Sequence, residues 1–402
     1  MNISTLQSNL DFIKSLYFHE EWNDEQCRET ILEAIQECHA KIEKAFGRSI
    51  HTLGWKKHKP SIESVAKVVK KFPSTLSHRD GRGSIPIQKA AMTRDGYGYV
   101  PILAKEGVKH KVGGEDARGG LLMINPYENR GWNTLQWFVN IGDEEQDAKR
   151  VDVLKELRQS GLFLKKDIVE QKLLAFSCWK QYKMRFEYLI NWDRDALIET
   201  RVRRGNRISP LIHFLSLEPE ESLLLTLKAG FKYHPQIGGL LFVNDEEGHL
   251  AFDVLCNVKG TATIMSLLYN ILSPKQDYPL LHYVFTKAPQ HKELFMKYFP
   301  WATQLKDHDG RSLQQAVLAA GPNLMNDHDY LFAMFTDNQI QERDPVTALY
   351  PFAAMAAGEH ADLKKSFYLL RRHPSVLEKR SRAPVSGRRK KRKIEEIEDI
   401  ED

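Results

Sequence analysis

A chain of 402 residues with 42% apolar and 28% charged side chains is a folded protein too long for one ordinary core, which leaves several domains or a repeat array. No apolar run approaches the roughly 18 residues of a membrane span, and Met1 to Gln7 have none of the features of a signal peptide, so the expected compartment is nucleus or cytosol. The net charge of +5 is concentrated at one end: residues 379–393 carry nine Lys or Arg, and residues 394–402 carry six acids. The remainder is nearly neutral, which argues against a large nucleic-acid-binding surface on it.

Taken in order, residues 1–58 hold two helical stripes. Leu6, Leu10, Ile13, Leu16 and Tyr17 form the first; Ile31, Ala34, Ile35, Cys38 and Ile42 form the second. Such a pair suits the cap of an open-ended array, and a free partner-binding helix is the other reading. From Pro60, Val65, Val68 and Val69 lie on a helix that ends at Phe72-Pro73. A sentence-like pattern follows at Gly83-Ser84-Ile85-Pro86-Ile87-Gln88-Lys89-Ala90, a polar turn leading straight into an apolar helix. It returns at Gly131 to Phe138, at Ser209 to Phe214, at Asn244 to Asp253, at Asp277 to Val284, at Lys306 to Ala316 and at Thr347 to Ala353. Anchored on the position of Pro86, the copies fall at residues 86, 134, 210, 251, 280, 312 and 348. The step of 76 between 134 and 210 is wide enough for a further unit near Leu162 to Leu197.

The pattern has a physical logic. Gly and Asp accept turn conformations that other residues resist, Leu enters the core, and Ala lets helices approach closely. It matches the turn followed by T-P-L-H-x-A of an ankyrin repeat, with Gln88 in place of His. His213 and His282 are read as residues of these turns. An irregular helical domain with Gly-rich turns is the alternative.

Searches for chemistry return little. Cys27, Cys38, Cys178 and Cys256 form no CxxC and read as reduced thiols. Asp307-His308-Asp309-Gly310 has the look of a calcium loop, but Leu305 and Ala316 stand where its essential acids belong. His19-Glu20-Glu21-Trp22-Asn23 fails a zinc-protease motif at its second His, and no phosphate-binding loop or nucleophile elbow occurs. No metal and no cofactor are expected.

Among aromatic residues, Tyr97, Tyr99 and Trp132 fall in or beside Gly-rich loops and are candidate partner contacts, whereas Trp137 reads as core. After the helix-breaking Ala383-Pro384-Val385-Ser386-Gly387, the run Arg388, Arg389, Lys390, Lys391, Arg392 and Lys393 packs six cations together, with Lys379 and Arg380 upstream. Exposed runs of this kind, in one or two parts, are read by nuclear import receptors.

Several phrases resemble the divergent ankyrin-repeat proteins abundant in diatoms and related algae. They are Gly83 to Ala91; Asp167-Ile168 with Phe186-Glu187-Tyr188-Leu189-Ile190-Asn191-Trp192-Asp193; and Tyr278-Pro279-Leu280-Leu281-His282. The most specific is Asp344-Pro345-Val346-Thr347-Ala348-Leu349-Tyr350-Pro351-Phe352, followed by Leu369-Leu370-Arg371 and Pro374. The resemblance covers residues 60 to 375 and implies an ankyrin-like solenoid without catalytic residues.

The expected fold is therefore all-α: an N-terminal helical cap (1–58), degenerate ankyrin-like repeats forming a helical solenoid (59–376) and a disordered basic-then-acidic tail (377–402). The expected function is a non-catalytic protein–protein interaction scaffold, found in the nucleus or in nucleus and cytoplasm. Its expected partners are another protein and, at the tail, an import receptor. The alternative is a nucleic-acid-associated protein that uses the basic tail.

Overall fold

A computed structural model describes residues 60–125, 131–179, 182–204, 207–272, 278–320, 335–357 and 361–374, with a few isolated positions before residue 46. The expected N-terminal cap and the tail, with its import residues Lys379, Arg380 and Arg388 to Lys393, lie outside the described residues. The chain divides into two compact units, Met1–Ile271 and Leu272–Asp402.

The described part is mostly helical. In the first unit α1 (Ile62–Lys71) starts where the Ser61 side chain accepts the Ser64 amide, and it buries Val65 and Val69. Helices then come in pairs. These are α2 (Pro86–Met92) with α3 (Val100–Lys109), and α4 (Thr134–Asn140) with α5 (Glu144–Gln159). Next come α6 (Leu173–Trp179) with α7 (Lys183–Trp192), α8 (Leu211–Leu215) with α9 (Glu220–Tyr233), and α10 (Ala251–Lys259) with α11 (Thr261–Ile271). Within this unit α2 packs on α4, α4 on α6, α6 on α8 and α8 on α10, while α3 packs on α5, α5 on α7 and α9 on α11. In the second unit α12 (Leu280–Lys287) is followed by α13 (Lys292–Tyr298), α14 (Leu313–Ala320), α15 (Pro351–Ala356) and α16 (Leu363–Arg372). There α12 packs on α14, α14 on α15, and α15 on α16.

The starts of the first helices explain the wide sequence step. They fall at residues 86, 134, 173, 211, 251, 280, 313 and 351. The gap after residue 134 thus divides into intervals of 39 and 38, with α6 and α7 inside the interval reserved for an extra unit. That pair lacks the Pro and Gly punctuation of the others: Lys172, not Gly, takes the positive φ of 56° just before α6.

Three of the turns are built alike. Asp80, Asp245 and Asp307 each accept backbone amides two and four residues ahead through one carboxylate oxygen, at 2.8–3.0 Å. Gly83, Gly248 and Gly310, three residues after each Asp, hold φ of 74°, 86° and 80° and donate to its carbonyl. This left-handed conformation costs a residue with a Cβ about 1–2 kcal/mol, so Gly is the natural occupant. Each helix begins three residues after that Gly. Asp307-His308-Asp309-Gly310 is therefore a turn, its carboxylate committed to its own backbone.

The seventh anchor, residue 348, requires correction. Helix α15 begins at Pro351, and Ala348 occupies the place of the turn glycine with φ of 58°. The loop is one residue longer, Asp344 pairing with Leu349 across it where Asp80 pairs with Ser84. Thr347-Ala348-Leu349 imitates the opening of the helix but lies wholly in the turn.

Candidate interaction surface

At the third position of most first helices stands Gln or His, and each reaches out of its own helix. Gln88 Nε2 donates to Met123 O (2.8 Å), Gln136 Nε2 to Gln171 O (3.1 Å) and Gln315 Nε2 to Glu342 O (3.4 Å). His213 Nε2 lies 3.0 Å from Val243 O, and His282 Nε2 lies 3.2 Å from Arg311 O. A carbonyl only accepts, so both rings carry their proton on Nε2. The acceptor always precedes a later first helix: Met123, Gln171, Val243 and Glu342 lie ahead of the turn, and Arg311 lies just after the turn glycine Gly310. Where it is present, this side chain ties its helix to the segment leading into a later one; α6, α10 and α15 carry Ala175, Asp253 and Ala353 at that position.

The choice between Gln and His follows from the residue capping the helix. Beside Gln88, Gln136 and Gln315 the caps are Ile85, Asn133 and Ser312, whose free N–H groups bond the Gln Oε1 at 2.9–3.0 Å. The amide thus makes two bonds with one side chain. Beside His213 and His282 the caps are Pro210 and Pro279, which have no N–H. Only a donor is required there, and His282 Nδ1 is buried without a partner. Burial holds the His282 pKa below its usual 6.5, so this ring stays neutral.

Two buried arginines close the other ends of these helices. Arg150 on α5 donates to Phe138 O (2.9 Å), Thr93 O (3.2 Å) and Ala91 O (3.3 Å). Arg185 on α7 donates to Val139 O (2.6 Å), Ile141 O (2.8 Å) and Phe138 O (3.1 Å), and its Nε pairs with Asp147 at 2.6 Å. The carbonyls at the ends of α2 and α4 lack partners within their helices, and the guanidinium forks supply them. Burial, reinforced by the Arg185 charge, pushes the Arg150 pKa down to about 9. Nothing in the charged sequence of α5 and α7 announces that these two arginines point inward.

The three aromatic candidates fare differently. Tyr99 is 5% exposed, and its hydroxyl donates to Pro60 O at 2.6 Å, so it is core and not a partner contact. Tyr97 is half-buried, its ring 5.3 Å from the Arg150 guanidinium. Trp132 is half-buried between Trp137 on its own helix pair (4.6 Å between ring centres) and Phe176 on the next (4.9 Å). It therefore joins α4 to α6. Trp137 is buried, as the sequence indicates.

Two features were not singled out from sequence. The first is a groove of about 440 Å³ between α7 and α9, floored by Phe186, Ile190 and Leu225 and rimmed by Lys228, Lys232 and Glu187. Tyr233 spans one end of the wall, its hydroxyl donating to Asn191 Oδ1 at 2.6 Å. The second is an antiparallel ribbon, β1 (Arg201–Arg204) with β2 (Arg207–Pro210), in which Arg204 is registered opposite Arg207. It carries four arginines, Arg201, Arg203, Arg204 and Arg207, and no acid.

Among the described residues no group of His, Cys, Asp and Glu is arranged to hold a metal ion, and no single helix is long and apolar enough to cross a membrane. No family model matches this chain, and no curated protein matches it.

Proposed function

We propose that the chain is a non-catalytic interaction scaffold made of degenerate ankyrin-type repeats stacked as a solenoid, with a nuclear-import signal at Lys379, Arg380 and Arg388 to Lys393. The observation that supports this most is the recurrent tie, made by Gln88, Gln136, His213, His282 and Gln315, from one first helix to the segment leading into a later one. A side chain repeated for that purpose makes sense only where neighbouring units stack in order. The surface offered to a protein partner is the α7–α9 groove, whose apolar floor takes side chains while its mixed rim selects among them.

The test is affinity capture with the intact chain against a variant carrying Leu224→Glu and Lys228→Glu on the groove wall. A partner retained by the wild type and lost by the variant, with unchanged helical content, supports the scaffold. A chemically altered product released by the wild-type chain overturns the non-catalytic reading.

A second reading, association with nucleic acid, draws on the arginine ribbon as well as on the tail. Affinity for RNA or DNA that falls steeply with salt, and falls again on replacing Arg201, Arg203, Arg204 and Arg207, would move it ahead.

A further inference from the structure

The last described helix, α16, has two apolar faces. One is spent inside its unit: Leu369 and Ser366 are buried, and the Ser366 hydroxyl donates to Phe352 O on α15 at 2.7 Å. The other is left outside. Leu363 is 70% exposed and Phe367 67% exposed, with Leu370 half-buried beside them. These residues sit at positions i, i+4 and i+7, a single stripe along the helix. Large apolar residues scattered singly on a surface need no explanation, but an aligned stripe does.

The margin of the stripe has a definite charge. Lys364 and Arg371 are exposed, seven residues apart on the same flank, and α16 contains no acid between Leu363 and Arg372. Asp362 at its N-terminus is committed to the helix cap through the Lys365 amide at 2.9 Å. A partner for this face must offer an apolar row bordered by carboxylates.

The chain carries such a partner at its own end. Residues 394–402 read Ile394-Glu395-Glu396-Ile397-Glu398-Asp399-Ile400-Glu401-Asp402. Isoleucines at every third position fall within about 120° of a helix circumference, and six acids take the rest. Residues 373–393 separate the two elements. Extended, those residues reach as far as about 70 Å, against a helix length of about 15 Å for α16. A tether of that length keeps a docking segment at an effective concentration on the order of millimolar.

We propose that the acidic C-terminal segment, residues 394–402, docks on the exposed Leu363–Phe367–Leu370 face of α16, its carboxylates against Lys364 and Arg371. Docking draws Arg388 to Lys393 down beside the helix and withholds them from other binders. That consequence rests on the import reading; the docking itself does not.

The test uses the full-length chain with the photoreactive residue p-benzoylphenylalanine at position 367, a site exposed enough to tolerate it. Irradiation should join position 367 to residues 394–402 of the same chain, and 0.5 M salt should reduce the yield severalfold. In parallel, a chain with Ile394→Ser, Ile397→Ser and Ile400→Ser should exchange the amides of residues 363–372 about tenfold faster than wild type. Cross-links joining two copies would overturn the proposal in favour of self-association. Unchanged exchange in the triple variant, with no cross-link to the tail, would overturn it outright.

Discussion

His282 performs half the work of the glutamines at equivalent positions, and that difference makes it sensitive to acid. Its Nε2 donates to Arg311 O while its Nδ1 is buried and bare. Because burial lowers its pKa in the folded state, the unfolded chain takes up the proton first. Its contribution is therefore complete above the unfolded pKa of about 6.5 and is lost as pH falls below that value. Replacing it with Gln keeps the donor, so His282→Gln should cost less than about 1 kcal/mol at pH 7.5 and should be less acid-sensitive. Urea midpoints of both chains at pH 7.5 and 5.5 measure this; parallel losses would show that the ring does not carry the sensitivity. A second single-residue effect lies at Ala348. Held at φ of 58° in the place of a turn glycine, it should gain about 0.5–1 kcal/mol on Ala348→Gly, read as a rise in thermal midpoint.

Elements were legible in sequence to the extent that their punctuation is local. Asp80, Asp245 and Asp307 with their glycines announce a turn by residue type alone, and the helices after them begin where the pattern places them. Where Lys172 and Ala348 take the glycine's backbone conformation, that signal is lost: α6 and α7 show in sequence as apolar helical patterns inside an over-long interval, with no turn signature to place them, and the pattern at residue 348 sets α15 three residues early. The buried arginines were illegible for another reason. Arg150 lies on a helix dense in charge and Arg185 between Lys183 and Glu187, and only the packing of α5 and α7 against the ends of α2 and α4 turns them inward. Trp132 and Tyr99 show the same limit, since a loop position in sequence does not reveal what folds over it. Leu281 follows the pattern fully, being wholly buried on α12. Leu281→Ala should cost about 2–5 kcal/mol. If the proposed stack holds, with each repeat contacting mainly its neighbours, the damage should spread over residues 278–320 and spare amides near Gln88 and Gln136. Hydrogen exchange mapped along the chain checks this, and equal loss of protection everywhere would contradict the proposed solenoid.

Over the whole molecule, charge is divided between a nearly neutral body and a tail in which nine cations precede six acids. Two opposed outcomes follow if the cations are an import signal and the acids hold them down. Replacing Arg388, Arg389, Lys390, Lys391, Arg392 and Lys393 with Ala should shift a fluorescent fusion from nucleus toward cytoplasm, because the feature that a receptor reads is gone. Replacing Ile394, Ile397 and Ile400 with Ser leaves every charge in place and removes only the apolar row, so it should raise the nuclear fraction. A six-Ala chain as nuclear as wild type would end the import reading while leaving the docking on α16 to its own cross-linking test. A triple-Ser chain with unchanged distribution, in a protein whose six-Ala variant does leave the nucleus, would show that the signal is read whether or not the acidic segment is docked. The two substitutions differ in charge by six units and alter neighbouring residues, so their effects separate the electrostatic feature from the apolar one.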